Sequence, residues 1–148
     1  DYAEGWLAET AYDFVSEAID EGIVFGGVHC GNDDLASQAV IALSEHRLAG
    51  KVSLGGQDAE LAACQRIVEG TQTMTVYKPV DKLARQAAEC TELLIKGNMP
   101  STEVTINNGT YDVAYVKLEP IMVTKDNIDE IIIDGGFHRR EEVYLNVN

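Results

Sequence analysis

Apolar positions along the chain keep three rhythms, helical, continuous and alternating, and their order predicts the architecture. Leu7, Ala11, Phe14, Val15, Ala18 and Ile19 recur at helical spacing, and Gly22 follows as a stop, which predicts a helix over residues 7–21. The run 23–28 is short, partly β-branched and non-alternating, the pattern of a strand covered on both faces. Gly31, Asn32 and Asp33 then form a turn. The second helix takes Asp33 or Asp34 as N-cap, Leu35, Ala39, Val40 and Leu43 as its apolar face, and Gly50 as terminator. A brief strand over 51–54 leads to Asp58, which opens a third helix with Leu61, Ala62, Gln65 and Val68 facing inward and Gly70 at its end. Residues 73–77 are β-branched and predict the next strand. Pro79 breaks it, and Leu83, Ala84, Ala87, Ala88, Leu94 and Ile95 describe a fourth helix ending at Gly97.

After Pro100 the period changes to two. Segments 103–106 and 111–118 alternate around Asn107, Asn108 and Gly109, where Asn-Gly is a strong hairpin signal. A short strand over 121–124 and a helical or irregular turn over 127–133 follow, and Gly135-Gly136 is expected to loosen the tail. The order predicts an α/β fold with a Rossmann-like open, largely parallel sheet flanked by helices and right-handed crossovers. No repeat, low-complexity tract or linker divides the sequence, so residues 1–148 are expected to form one lobe.

Composition narrows the function. The chain has 148 residues and is 45% hydrophobic, enough for a real core. Its net charge of −14 repels a phosphate backbone and an anionic membrane surface alike, which argues against nucleic-acid binding. No apolar run approaches the roughly 18 residues that a membrane-spanning helix needs. Cys30, Cys64 and Cys90 are odd in number and lack C-x-x-C spacing, so small buried thiols are expected rather than disulfides or zinc. His29 and Cys30 are neighbours on a strand and point to opposite faces, which does not make a metal site. His46 and His138 have no partners at ligand spacing, and no dinucleotide, P-loop or nucleophile-elbow motif is present.

Asn32, Asp58 and Lys78 each follow a predicted strand, about one βα unit apart. In an open parallel sheet the carboxyl ends of the strands face a common crevice, so the three are candidates for one polar site. A sugar hydroxyl both donates and accepts, and the set offers a carboxylate acceptor (Asp58), a fixed cation (Lys78) and an amide that does both (Asn32). Trp6 would add an indole face for the apolar C–H face of a sugar ring, and Gln57 a further hydrogen bond. Each also has a plainer explanation: Asp58 as a helix N-cap, Asn32 and Gln57 as turn residues, Lys78 as a solvated charge, Trp6 as a core or edge contact.

The stretch 55–79, GGQDAELAACQRIVEGTQTMTVYKP, resembles the D-xylose-type members of the periplasmic sugar-binding proteins of ABC transporters, which have the type I fold. Glu4-Gly5-Trp6-Leu7 resembles the family's segment with the stacking tryptophan, Gly31-Asn32-Asp33 its Asn-Asp turn, Asn107-Asn108-Gly109 with Asp112-Val113 its late hairpin, and Gly135-Gly136-Phe137-His138 its C-terminal end. The resemblance covers nearly the whole chain and places it in the second half of the family's sequence, as the C-terminal lobe. It implies sugar contacts from Trp6, Asn32, Asp58 and Lys78, recognition of D-xylose or a similar pentose by lobe closure, no cofactor, and a periplasmic or cell-surface location. The partners implied are a membrane transporter or sensor kinase and a first lobe missing from this chain, carried on another polypeptide or removed. Segment 79–100 is expected to be a hinge or to pack on that lobe.

Two other classes of function are weighed beside it. Asp58 and Lys78 in one crevice could act as base and amine in a sugar-converting enzyme. The same fold also serves as the effector lobe of sugar-responsive repressors, although no basic helix-turn-helix accompanies it here.

Overall fold

A computed structural model describes residues 2–102 and 104–147. Its helices are α1 (Glu9–Asp20), α2 (Asp33–Glu45), α3 (Leu61–Glu69), α4 (Val80–Ile95) and α5 (Arg140–Val143). Its strands are β1 (Gly27–His29), β2 (Ser53–Gln57), β3 (Met74–Tyr77), β4 (Thr105–Asn107), β5 (Asp112–Ala114) and β6 (Ile121–Thr124). A short 3-10 turn at Glu4–Trp6 precedes α1, and a π-helical turn at Asp129–Ile133 precedes α5. The chain forms two compact units, residues 1–77 with 122–148, and residues 78–121.

In the first unit a sheet of order β1-β2-β3-β6 carries the parallel pairs β1–β2 and β2–β3. The predicted α/β architecture is what forms. Helix α1 packs on α2, α2 on β2 and α3, and α3 on β3 and α5. One cluster of buried residues, Val15, Leu35, Ala36, Ala39, Leu43 and Leu54 among them, seals α1 and α2 against β1 and β2. Alanines on the buried face of α2 let the helix lie close to its neighbours. Ala63, Cys64, Ile67, Val68, Val123, Ile128, Ile132 and Val143 are also buried, and they come from α3, β6 and the C-terminal segment.

The second unit is built from α4 and the antiparallel hairpin β4–β5. The hairpin turn follows its Asn residues: Asn108 Oδ1 accepts from the Thr110 and Tyr111 amides, and Asn107 Oδ1 from the Gly109 amide. Glu103, the first residue of the strand expected there, lies outside the described residues. No residue of α4 is buried.

Several expectations are corrected. The strand expected over 23–28 begins only at Gly27, because the Ile23 amide closes α1 by donating to Ala18 O and Val24 is 97% exposed. Helix α2 is capped by Asn32, not by an aspartate, since Asn32 Oδ1 accepts from the Leu35 amide at 2.9 Å. It ends at His46, before the expected Gly50. The strand expected over 51–54 runs from Ser53 to Gln57. Helix α3 starts at Leu61 after a Glu60 cap position that makes no side-chain hydrogen bond, so Asp58 does not open it. Its buried face is Ala63, Cys64, Ile67 and Val68, of which only Val68 was expected. The tail is packed rather than loose: Val143 is buried, and the Phe137 ring lies 4.8 Å from that of Tyr77.

Candidate functional site

The parallel registers Gly27↔Ser53 to His29↔Gly55, and Gly55↔Met74 to Gln57↔Val76, align the carboxyl ends of β1, β2 and β3 along one edge of the sheet. Gly31 and Asn32 leave that edge after β1, and Asp58 leaves it after β2. Four of the five expected site residues lie here.

Gly31 is the hub. A Cβ at this position would come within 2.9 Å of the Trp6 ring, so only glycine lets the indole lie against the turn after β1. Trp6 adopts φ 59° and is 62% exposed. Gln57 Nε2 donates to Gly31 O at 3.3 Å and ties the end of β2 to the same turn. The Asn32 side chain is half-buried, and its oxygen is committed to the α2 cap. Its amide NH2 is therefore the part suited to a ligand.

Asp58 sits in a strained turn. Its φ is 104° and that of Ala59 is 53°, an uncommon region for side-chain-bearing residues. Hydrogen bonds fix the pair from several directions. The Asp58 amide donates to Val76 O at 2.9 Å, the Ala59 amide to Thr75 Oγ1 at 3.1 Å, and the Glu60 amide to Asp33 Oδ2 at 3.1 Å. On the far side His138 Nε2 lies 2.8 Å from Ala59 O, the separation of a hydrogen bond from the Nε2–H tautomer. The C-terminal segment thereby reaches the edge that the strand ends define.

Beneath the turn lies a group that sequence reasoning treated as a cap. Asp33 is fully buried. Its Oδ2 accepts from Thr75 Oγ1 at 2.7 Å and its Oδ1 from Gln72 Nε2 at 2.9 Å. Gln72 Oε1 in turn accepts from Arg66 Nε, and Arg66 Nη1 donates to Ser37 Oγ. Burial pushes the Asp33 carboxyl above its ordinary value, outweighing its hydrogen bonds and the Arg66 cation. Glu60 is pushed up as well, first by burial and then by Asp33, Asp34 and Asp58. Burial holds the thiols of Cys30 and Cys64 at about 11 and about 12, which keeps them protonated and inert. Cys90 is half-buried and, like the other two, unpaired.

Lys78 directly follows β3 and is the first residue of the second unit. It is exposed, and neither it nor Asp58 lacks an interaction partner. A cavity of about 420 Å³ opens beside β1, lined by Trp6, Phe14, Phe25, Val28, Cys30 and Leu35 among others. Trp6 and Gly31 both line it, so this mostly apolar space adjoins the edge, while Asn32, Gln57 and Asp58 are not in its walls. Among the described residues, no group of three His, Cys, Asp or Glu side chains is placed to hold a metal ion.

Comparison with known proteins places this geometry in context. The model of the periplasmic binding protein domain matches residues 1–99. The chain is 44% identical, over 97% of its length, to a D-xylose-binding periplasmic protein of Haemophilus influenzae, and 43% identical over 96% to one of Escherichia coli. It spans 43% of the length of each of these relatives. A carbohydrate transporter solute-binding protein from Chloroflexus aurantiacus, solved in complex with D-glucose, superposes with a TM-score of 0.82 at 29% identity, covering 93% of this chain and 42% of that one.

Proposed function

Because the chain belongs to the periplasmic binding protein domain family, we propose that it is the sugar-recognising lobe of an extracytoplasmic solute-binding protein for D-xylose or a similar pentose. The observation that carries this reading is the gathering of Trp6, Asn32, Gln57 and Asp58 at one edge of the sheet, in a chain so similar to D-xylose-binding relatives. In the proposed site, Asp58 accepts from sugar hydroxyls, the Asn32 NH2 donates to one, and the exposed indole of Trp6 covers the apolar face of the ring. Charge-assisted bonds of this kind contribute on the order of 1.5–3 kcal/mol each once water is excluded.

The remainder of the site belongs to an opposing lobe, in the part of the relatives' length that this chain does not span. Closure of that lobe is favoured because the closed form alone contacts the sugar from both sides. The absence of a buried residue in α4 is consistent with a contact to that lobe, and residues 79–100 are proposed as the hinge or packing segment. The assembled protein delivers its sugar to an ABC importer or to a membrane sensor kinase. Membership of a binding-protein family favours recognition over turnover by Asp58 and Lys78, and the net charge of −14 disfavours a DNA-bound repressor.

Trp6 is the single tryptophan, so its emission reports the site directly. D-xylose is expected to change that emission saturably and at lower concentration than D-glucose or D-ribose, and Asp58→Asn to abolish the response. A folded chain whose emission ignores every one of these sugars would refute recognition by this chain alone.

A further inference from the structure

We propose that Asp33 is a positioning residue: its buried carboxylate, acting with Thr75, holds the left-handed turn at Asp58 and Ala59 and so sets the direction from which Asp58 meets a ligand. The consequence for sugar recognition rests on the function proposed above, whereas the consequence for the turn does not.

The geometry carries the inference. A buried carboxylate is costly unless donors surround it. Three donors converge on Asp33, and two of them bear on the turn. Oδ2 accepts from the Glu60 amide directly. It also accepts the Thr75 hydroxyl proton, which leaves the Thr75 oxygen free to accept from the Ala59 amide. Asp33 thus reaches two successive amides of the segment that follows Asp58, one through a single bond and one through a relay. Two adjacent non-glycine residues at positive φ persist only where their surroundings over-determine them, and this network supplies part of that determination. The sheet is shaped to admit it. A Cβ on Gly56 would stand 2.1 Å from Asp33 Oδ1, so β2 carries its glycine where the carboxylate must pass. Gln72, held by Arg66, occupies the other carboxylate oxygen and fixes its rotation. An amide in place of this carboxylate would set an NH2 against at least one of the three donors.

The test measures amide hydrogen exchange of the full chain together with D-xylose titration of Trp6 emission, for Thr75→Val, Thr75→Ser, Asp33→Asn and Asp58→Asn. The Leu54 amide, which donates to Thr73 Oγ1 just before β3, serves as the reference for any uniform loss of stability. Thr75→Val and Asp33→Asn are expected to speed exchange at Ala59 and Glu60 about tenfold beyond any change at Leu54, and to weaken the sugar response about tenfold. Thr75→Ser, which keeps the hydroxyl, is expected to restore both to near the unsubstituted levels. Should Asp33→Asn fail to fold, the valine and serine pair at Thr75 still decides the matter. Exchange at Ala59 and Glu60 that merely follows Leu54 overturns the positioning role, as does a turn that loosens without weakening the sugar response. A sugar response that survives Asp58→Asn instead overturns the functional reading and leaves the exchange result standing.

Discussion

At the scale of single residues, the edge of the sheet depends on atoms that are absent as much as on those present. Gly56→Ala would place a methyl group 2.1 Å from Asp33 Oδ1, with Gln72 Nε2 only 3.1 Å away. Neither group can withdraw, since each is buried and hydrogen-bonded. Overpacking of this kind is expected to destabilise the chain by about 2–3 kcal/mol or more, read as a lower midpoint in urea denaturation with the slope unchanged. Asp33 also imposes a sign on the pH dependence. Its carboxyl is raised by burial, while Arg66 lowers it, and Glu60 shares the rise. The Cys30 and Cys64 thiols nearby ionise only at about 11 and 12. A raised carboxyl contributes stability that is fully present below the ordinary value of about 3.9 and is lost as pH rises through the folded value. The melting temperature of the protein, measured relative to the Asp33→Asn variant, is therefore expected to fall as pH rises across that interval and then to level off. A difference that grows with pH instead would mean that the hydrogen bonds outweigh burial.

At the scale of elements, periodicity disclosed the order of helices and strands and misplaced their edges for reasons that lie outside the local sequence. The apolar run at 23–28 has the composition of a buried strand, yet a strand needs a partner, and pairing with β2 begins only at Gly27. The buried face of α3 lies toward Ala63 and Ile67, where α5 and β3 pack, and no local signal announces α5. The placement of Asn32 and Gln57 at one sheet edge was legible because turn chemistry and strand ends are local. Asp33 was legible only as a capping candidate, because its partners Gln72 and Thr75 lie far along the chain. His138 was dismissed for want of a ligand partner, and its role is to meet the Ala59 carbonyl. The fourth helix offers the sharpest contrast. Its apolar positions are regular, but Leu83, Leu94 and Ile95 are exposed and no residue of the helix is buried. A helix without a buried face has little beyond propensity to hold it, and isolated helices of this length are marginal in water. Amides of α4 are expected to exchange orders of magnitude faster than those of α2, whose Ala36, Ala39 and Leu43 are fully buried. Equal protection of the two helices would show that α4 is held by contacts its exposure does not reveal.

At the scale of the whole molecule, charge is the property that no single element explains. The chain carries 25 acidic and 11 basic residues, for a net charge of −14. The excess is felt at the site edge, where Asp33, Asp34 and Asp58 together push Glu60 upward after burial has done so. Like charges at this density repel one another in the folded chain more than in the expanded one, so the folded state is destabilised by its own field. Salt shortens the reach of that repulsion, from roughly 30 Å at 0.01 M to roughly 8 Å at 0.15 M. Isolated surface ion pairs, such as Lys117 with Glu119, respond in the opposite direction but are worth less than about 1 kcal/mol each. The repulsive sum is the larger effect at this net charge. The melting temperature at neutral pH is therefore expected to rise by several degrees between these two salt concentrations, equally for sodium and potassium chloride. A fall would assign the dominant electrostatic role to the ion pairs. A rise that differs between the two cations would mean specific ion binding at the acidic edge rather than screening.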